Sequence, residues 1–304
     1  MSKIATVTLS QVPARPASPL EAARPVSGSG AAVLAGLRMI SAKAWRHGRS
    51  YAVSLLWGAA SMSLLLAAWQ VACLTIGKDL PTPLSTYHTL VELLSDPFNP
   101  DRNSLGIGLQ LWESLRRVGV GFGLGSLIAI PLGVLMGASH VAKRLLDPIS
   151  QILRPVSPLV WFPLALVAFK AAGGTASASL FTILITSLWP TVISTAFGVS
   201  SVPEDYRTVA RVFQFSRDRY LLKVLIPHAL PHILTGLRVS MGIAWLVIVA
   251  TEMLSGGVGI GFFAWDSYNA GSYEKMVAAV VVIGVVGLLL DRVFDLLLRR
   301  AQRA

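Results

Sequence analysis

Two stretches of this chain, residues 50–77 and 118–139, contain no charged residue at all. Each is long enough to cross a hydrocarbon layer of roughly 30 Å as one helix, which takes about 20 apolar residues. Lipid offers no partner to backbone N–H and C=O groups, so a chain with several such segments must satisfy those groups inside each helix. Only 13% of the 304 residues are charged and 54% are hydrophobic, against roughly 25% charged in a soluble domain. The fold class expected is an all-α integral membrane protein.

Four further regions extend the count. Residues 155–169 are short, flanked by Arg154 and Lys170, and contain Pro155, Pro158 and Pro163. They cross only if the basic side chains snorkel and the helix bends. Residues 171–203 hold a short outer loop and a fourth span, 233–254 a fifth with Glu252 inside it, and 276–298 a sixth with Asp291, Arg292 and Asp295 in its last turns. The expectation is six transmembrane helices. With the amino terminus placed in the cytosol, 20 of the 26 Lys and Arg residues fall on inner segments, so the positive-inside rule puts both termini in the cytosol. Arg116 and Arg117 run against the rule; the expectation is an interfacial helix over 109–118, paired internally through Glu113.

The net charge of +11 suggests nucleic acid in a soluble protein, but here its placement along the membrane matters more than its sum, and no nucleic-acid partner is expected. Residues 1–49 read as a cytosolic tail, disordered over 1–37 and amphipathic or simply basic over 38–49; the start has no apolar core of a cleavable signal. Residues 50–304 form the transmembrane domain. The lone cysteine, Cys73, excludes an internal disulfide and leaves no thiolate metal site; it faces lipid or packs in the core. Gly119, Gly121, Gly123 and Gly125 alternate, and Gly133 and Gly137 make a small-xxx-small pair, suiting a tight bundle or a dimer seam.

The most informative segment is soluble: residues 200–231, SSVPEDYRTVARVFQFSRDRYLLKVLIPHALP. Ser201 and Glu204 have capping-box spacing and Pro203 suits a first helical turn. Tyr206, Val209, Ala210 and Phe213 recur at helical spacing while Arg207 and Arg211 take another face. Residues 214–217 read as a turn, with Ser216 capping a second short helix that stops near Pro227. The product is a cytosolic helical hairpin whose apolar face must bury itself against the membrane surface or a partner.

This hairpin resembles the loop shared by membrane subunits of ATP-binding-cassette importers, Glu-Ala-Ala, three residues, Gly, nine residues, Ile-x-Leu-Pro. Thr208, Val209 and Ala210 take the first three places, Gln214 the glycine place, and Val224, Ile226 and Pro227 the close; Ala210 and Pro227 are identical to the pattern. From about residue 104 to 298 the chain resembles the nitrate, sulfonate, taurine and bicarbonate class of these permeases, and its nitrate branch most. The resemblance rests on runs such as GLQLWESLRRVGVGFG, ILRPVSPLVWFPLAL, ITSLWPTVISTAFGV and GGVGIGFFAWDSYNA.

What the resemblance implies is a type I importer permease fold, a second copy of the permease, two cytosolic ATPase subunits and a periplasmic anion-binding protein. It makes the hairpin a coupling helix docked on the ATPase and assigns coupling to Glu204, Tyr206, Thr208, Val209, Ala210, Arg211, Phe213, Gln214 and Pro227. It places the chain in the bacterial inner membrane.

No G-x-x-x-x-G-K-[ST] run occurs, so the energy source is expected in another chain; no cofactor and no catalytic residue is expected. His228 and His232 stand four apart, but Pro231 interrupts them and no zinc-site Glu follows, so no metal site is expected. For an anion path the candidates are Trp161, Lys170, Thr182, Thr186, Trp189, Trp245 and Glu252, each with a plain reading as anchor, snorkelling charge or interhelical bond. Glu252 is the sharpest, since an ionisable group inside a span usually faces a cavity or partner. A secondary transporter and a membrane enzyme remain alternatives, although the spans lack paired charges, an internal repeat or a His, Asp, Glu or Cys cluster.

Overall fold

The computed structural model describes residue 53 and residues 55–75, 77, 80–101 and 105–302. The tail expected over 1–49 lies outside the described residues, as do Lys78 and Arg102. The chain divides into two units, 1–65 and 66–304. In the first, residues from Leu55 onward form the opening turns of helix α1 (Leu55–Thr75), with Ser61 Oγ bonded back to Trp57 O at 2.9 Å. In the second, α1 ends where Trp69 Nε1 and Cys73 Sγ both donate to Pro81 O, at 3.1 and 3.3 Å. Cys73 is therefore a buried packing residue with a weak donor bond.

Next come α2 (Pro83–Ser95), α3 (Ile107–Ala138), α4 (His140–Leu153), α5 (Pro158–Ala168), α6 (Gly174–Ser200), α7 (Glu204–Val212) and α8 (Arg217–Tyr220). A π-helical turn, Leu221–Leu225, leads into α9 (Ile226–Ser255), then α10 (Ile260–Asn269) and α11 (Tyr273–Ala301). Among the described residues five helical runs are long and apolar enough to cross a membrane: α1, α3, α6, α8 through α9, and α11. A sixth is reached by counting α4 and α5 together, a pair bent by 100°. The third span is thus broken. Pro158 opens α5 where a missing N–H costs nothing; Arg154 still has a helical backbone, and the α4 ladder ends at Pro155, which has no N–H to donate back into it; and α5 alone, at 11 residues, is roughly 16 Å long.

Two sequence expectations are corrected. Residues 109–118 are not a separate interfacial helix; they are early turns of α3, which runs unbroken for 32 residues. The second hairpin helix does not stop near Pro227: the Ile226 N–H reaches back five residues to Leu221 O, a π register that carries helix past the proline, whose own N–H is missing.

Helix α6 is the centre of the bundle, packed along α3 on one side and α9 on the other. The α3 seam is built from small residues four apart, Gly121, Gly125, Ala129, Gly133 and Gly137, which line up on one helix face. A Cβ added at Gly133 would stand 2.5 Å from Thr195 Cβ and 2.7 Å from Val192 O. Gly119 and Gly123 have nothing within 4 Å and point away from α6. Of the two uses open to the glycines, then, the 121, 125, 133 and 137 set holds the bundle itself together.

The α9 seam repeats the device with Gly198 against His232 and Gly236 against Thr191, and adds a 2.7 Å hydrogen bond shared by Thr191 and Ser240 hydroxyls. Helix α11 is tied to α9 by a fork from Arg238 to Asp291, at 2.6 and 2.7 Å, with Asp295 at 3.3 Å. Leu124, Leu127, Ile128 and Leu135 on α3, and Val285, Leu288, Leu289 and Val293 on α11, are left exposed. In water such bands would drive aggregation; in lipid they are the solvent-facing surface.

Candidate functional site

The hairpin expected from the sequence is present as α7 and α8. Its start differs: α7 begins at Glu204, so Pro203 occupies the cap and makes no side-chain cap bond. Ser201, two residues too early for a capping box, closes α6 instead and donates to Gly198 O at 3.0 Å. Glu204 neutralises Arg211 and Arg207 at 3.5 and 3.8 Å. Ser216 does cap α8, accepting from Arg219 N at 3.4 Å.

The apolar face is divided by the fold. Ala210 is turned inward and is 6% exposed, whereas Tyr206, Val209 and Phe213 are 56%, 52% and 69% exposed. Thr208, Arg211 and Gln214 are exposed too, and Pro227 sits in the first turn of α9. So the outward surface is Tyr206, Val209 and Phe213 with Val212 beside them, and Ala210 is small because the hairpin lies against the chain there.

Gln214 is the one non-glycine residue among those described with a left-handed backbone, φ 48°. It ends α7 in a Schellman arrangement: Phe215 N donates to Ala210 O at 2.9 Å and Gln214 N to Arg211 O at 3.1 Å. That position ordinarily selects glycine, since a Cβ there costs about 1–2 kcal/mol. Gln214→Gly relieves that strain while freeing the unfolded chain, so a net gain of about 0.5–1 kcal/mol is expected. Hydrogen exchange over 204–220 should slow by about threefold; unchanged or faster exchange would contradict the strain argument.

At the opposite end of the bundle a polar cluster is buried. Glu252 is 1% exposed on α9. Its carboxylate accepts from Ser114 Oγ on α3 at 2.7 and 2.9 Å, from Arg117 Nη1 at 3.0 Å and from Gly261 N at 3.1 Å. Arg117 also donates to Val258 O at 2.6 Å, Ser114 accepts from Ile260 N at 2.9 Å, and Gln110 Oε1 accepts from Gly259 N at 2.8 Å. The opening N–H groups of α10 thus meet an anion supplied by the chain itself, which offsets the helix dipole. Gly259, at φ 154°, is required because a Cβ would overlap the Glu252 carboxylate. Of Arg116 and Arg117, only Arg116 pairs with Glu113, at 2.9 Å.

The remaining pathway candidates are scattered. Thr186 and Trp189 line one cavity of about 190 Å³ between the α4–α5 bend, α6 and α9, together with Arg154, Val239 and Ile243. Trp189 Nε1 is buried without a hydrogen-bond partner among the described residues. Trp161 packs edge-on to Phe181, and Thr182 bonds its own helix at Ala178 O, 2.8 Å away. Trp245 Nε1 donates to Ile283 O at 3.1 Å, stapling α9 to α11, and Lys170 is exposed beyond α5. Arg154 was not singled out from sequence; its signal was a cation at a proline break. His232 meets Phe197 edge-on and His228 lies beside Tyr206.

A family model described as "Binding-protein-dependent transport system inner membrane component" matches residues 129–303. The nitrate import permease protein NrtB of Synechocystis sp. is 43% identical over 243 residues, covering 80% of this chain and 87% of that one. The bicarbonate transport system permease protein CmpB of Synechococcus elongatus is 46% identical over 233 residues, covering 75% and 82%. Among solved structures, the inward-facing MetNI methionine ABC transporter aligns with a TM-score of 0.57 at 17% identity, covering 70% of this chain and 98% of that one. An amino acid ABC transporter aligns at 0.54 and 17%, covering 71% and 96%. These two show the fold.

Proposed function

Because the chain belongs to the family of binding-protein-dependent transport system inner membrane components, we propose that it is the permease subunit of an ATP-driven importer for nitrate. Two copies form the path in the bacterial inner membrane, both termini are cytosolic, two separate ATPase chains drive them, and a periplasmic protein delivers the anion. The observation that carries the substrate is the 43% identity to a nitrate import permease along 87% of its length. A bicarbonate substrate is the second reading, favoured by the 46% identity to a bicarbonate permease. Nitrate and bicarbonate are both planar, singly charged and three-oxygen anions, so one path suits either.

The hairpin is the coupling element. Its exposed Tyr206, Val209 and Phe213 supply the apolar contact with the ATPase that a solvated loop would not keep bare. The path runs by Arg154, Thr186 and Trp189, whose cavity combines a cation, a hydroxyl and an indole N–H without the full burial of charge that would trap the anion.

The test reconstitutes the permease with its ATPase chains in lipid and adds binding protein loaded in turn with nitrate, bicarbonate or taurine. Hydrolysis stimulated by the nitrate-loaded protein alone supports the reading; stimulation by bicarbonate alone transfers the substrate. In the same preparation Val209→Glu or Phe213→Glu, at exposed positions, leaves the permease folded and lowers stimulated hydrolysis at least about tenfold, the loss expected when an apolar anchor of a partner contact is replaced by a charge. Full coupling in both variants would remove the hairpin from the role.

A further inference from the structure

A cleft of about 540 Å³ opens between the hairpin and the adjoining ends of three membrane helices. Its basic lining is His140 and Lys143 from the first turn of α4, Arg207 and Arg211 from α7, and Arg217 from α8; its floor is apolar, with Met136, Val199, Phe215 and Leu225. Among the described residues no carboxylate lines it. Glu204 pairs with Arg207 and Arg211 from outside the cleft, while His140, Lys143 and Arg217 form no ion pair among the described residues.

We infer that this cleft is a binding site for a phosphate-bearing anion with an apolar stem, that is, the headgroup of an anionic phospholipid such as phosphatidylglycerol. Three features converge on that chemistry. Cations that would repel one another at close range are gathered around one concavity, and Lys143 and Arg217 form no ion pair among the described residues, so an anionic ligand relieves the repulsion. The amino end of α4, a 14-residue helix capped by Ser139, adjoins the same space through Ser139, His140 and Lys143, so the positive end of its dipole favours an anion there. The cleft also stands where α3 and α6 end and α9 begins, which is the level of the lipid phosphates, and basic pockets between transmembrane helices at the cytosolic face suit anionic headgroups. The apolar floor distinguishes the ligand from a fully hydrated ion.

The site rests on the proposed orientation, with the hairpin cytosolic. An occupied cleft fixes the hairpin against α4, so the lipid would act as a wedge that sets how stiffly the hairpin follows its partner.

The full permease with its ATPase chains is purified in neutral detergent from vesicles of phosphatidylcholine doped with phosphatidylglycerol, and bound phosphatidylglycerol is counted by native mass spectrometry. Lys143→Gln with Arg217→Gln is compared with Arg116→Gln with Lys275→Gln, which removes the same charge at the other end of the bundle. The expected result is about thirtyfold weaker retention in the first pair only, since it removes two cations and each cation near an anionic surface is worth about 1 kcal/mol. Inorganic phosphate that displaces the lipid at millimolar concentration assigns the site to the phosphate group itself, and lipid that resists it assigns the site to headgroup and stem together. Equal loss in both pairs, no loss in the first, or displacement of the lipid when ATPase chains are added would overturn the site. Nitrate-stimulated hydrolysis is read separately in phosphatidylcholine alone, so a failed substrate assignment leaves the lipid count standing.

Discussion

Glu252→Ala should lower the stability of the membrane domain by about 3 kcal/mol, toward the lower end of the 3–5 kcal/mol typical of breaking a buried ion pair. The reason for the lower end is that Arg117 keeps its bond to Val258 O and is 25% exposed, so its charge is not stranded. What is lost is the shared acceptor for Ser114, Arg117 and Gly261. An ordinary interhelical hydrogen bond in a membrane is worth only about 0.6 kcal/mol, so the size of the effect separates a cluster acting as a unit from independent bonds. Glu252→Gln keeps the volume yet still costs stability. Each carboxylate oxygen faces an N–H, from Arg117 or Gly261, and an amide can offer an oxygen to only one. Thermal unfolding in lipid nanodiscs is the measurement, with Arg117→Leu added as a second change. Glu252→Leu with Arg117→Leu is expected to lie close to Glu252→Leu alone, because an arginine that keeps Val258 O and water is already matched once the carboxylate has gone. An unfolding midpoint in Glu252→Ala within experimental error of the parent would exclude the cluster as a structural lock.

Neither half of this cluster was readable as a pair from the sequence. Arg117 and Glu252 stand 135 residues apart, and one-dimensional patterning sees only local periods. Each was nevertheless visible as an anomaly: a cation on the side that the positive-inside rule disfavours, and a carboxylate inside a span. Two misfits of opposite sign at the same end of the bundle were the available signal. The long uncharged runs were legible because burial in lipid admits few alternatives, so α3, α6, α9 and α11 fall where expected. Helix boundaries were less so. Ser201 has two possible uses, capping α7 or closing α6, and only the position of Pro203 in the cap decides between them. The hairpin's apolar face was read as one surface, although Ala210 belongs to the chain's interior, because helical spacing gives faces without saying which neighbour each one meets.

The family pattern and the geometry meet at Gln214. The importer loop carries glycine there, this chain does not, and the backbone is left-handed all the same. The turn is thus fixed by the hydrogen bonds that close α7, and the side chain is carried at a local cost rather than choosing the conformation. The same logic applies where a glycine has been kept.

Gly133→Val and Gly119→Val are the same chemical change on one helix and should have different consequences. At 133 the new Cβ falls 2.5 Å from Thr195 Cβ and 2.7 Å from Val192 O, and a carbonyl in the middle of α6 cannot rotate away. The helices must separate along the seam that Gly121, Gly125, Ala129 and Gly137 also form. Overpacking of this kind costs about 1–3 kcal/mol or more, and here it also withdraws close packing, which drives helix association in lipid. At 119 nothing lies within 4 Å, so the change adds apolar surface toward the surroundings and recovers about a few tenths of a kcal/mol, valine lying between alanine and glycine in helix propensity. The expected outcome is a loss of folded yield and a midpoint lower by several degrees for Gly133→Val, with Gly119→Val equal to the parent or slightly above it. If the two variants instead fell together, the α3 glycines would act through helix flexibility rather than contact. If Gly119→Val alone lost stability in the assembled permease, the outward glycines would mark the face that meets a second copy.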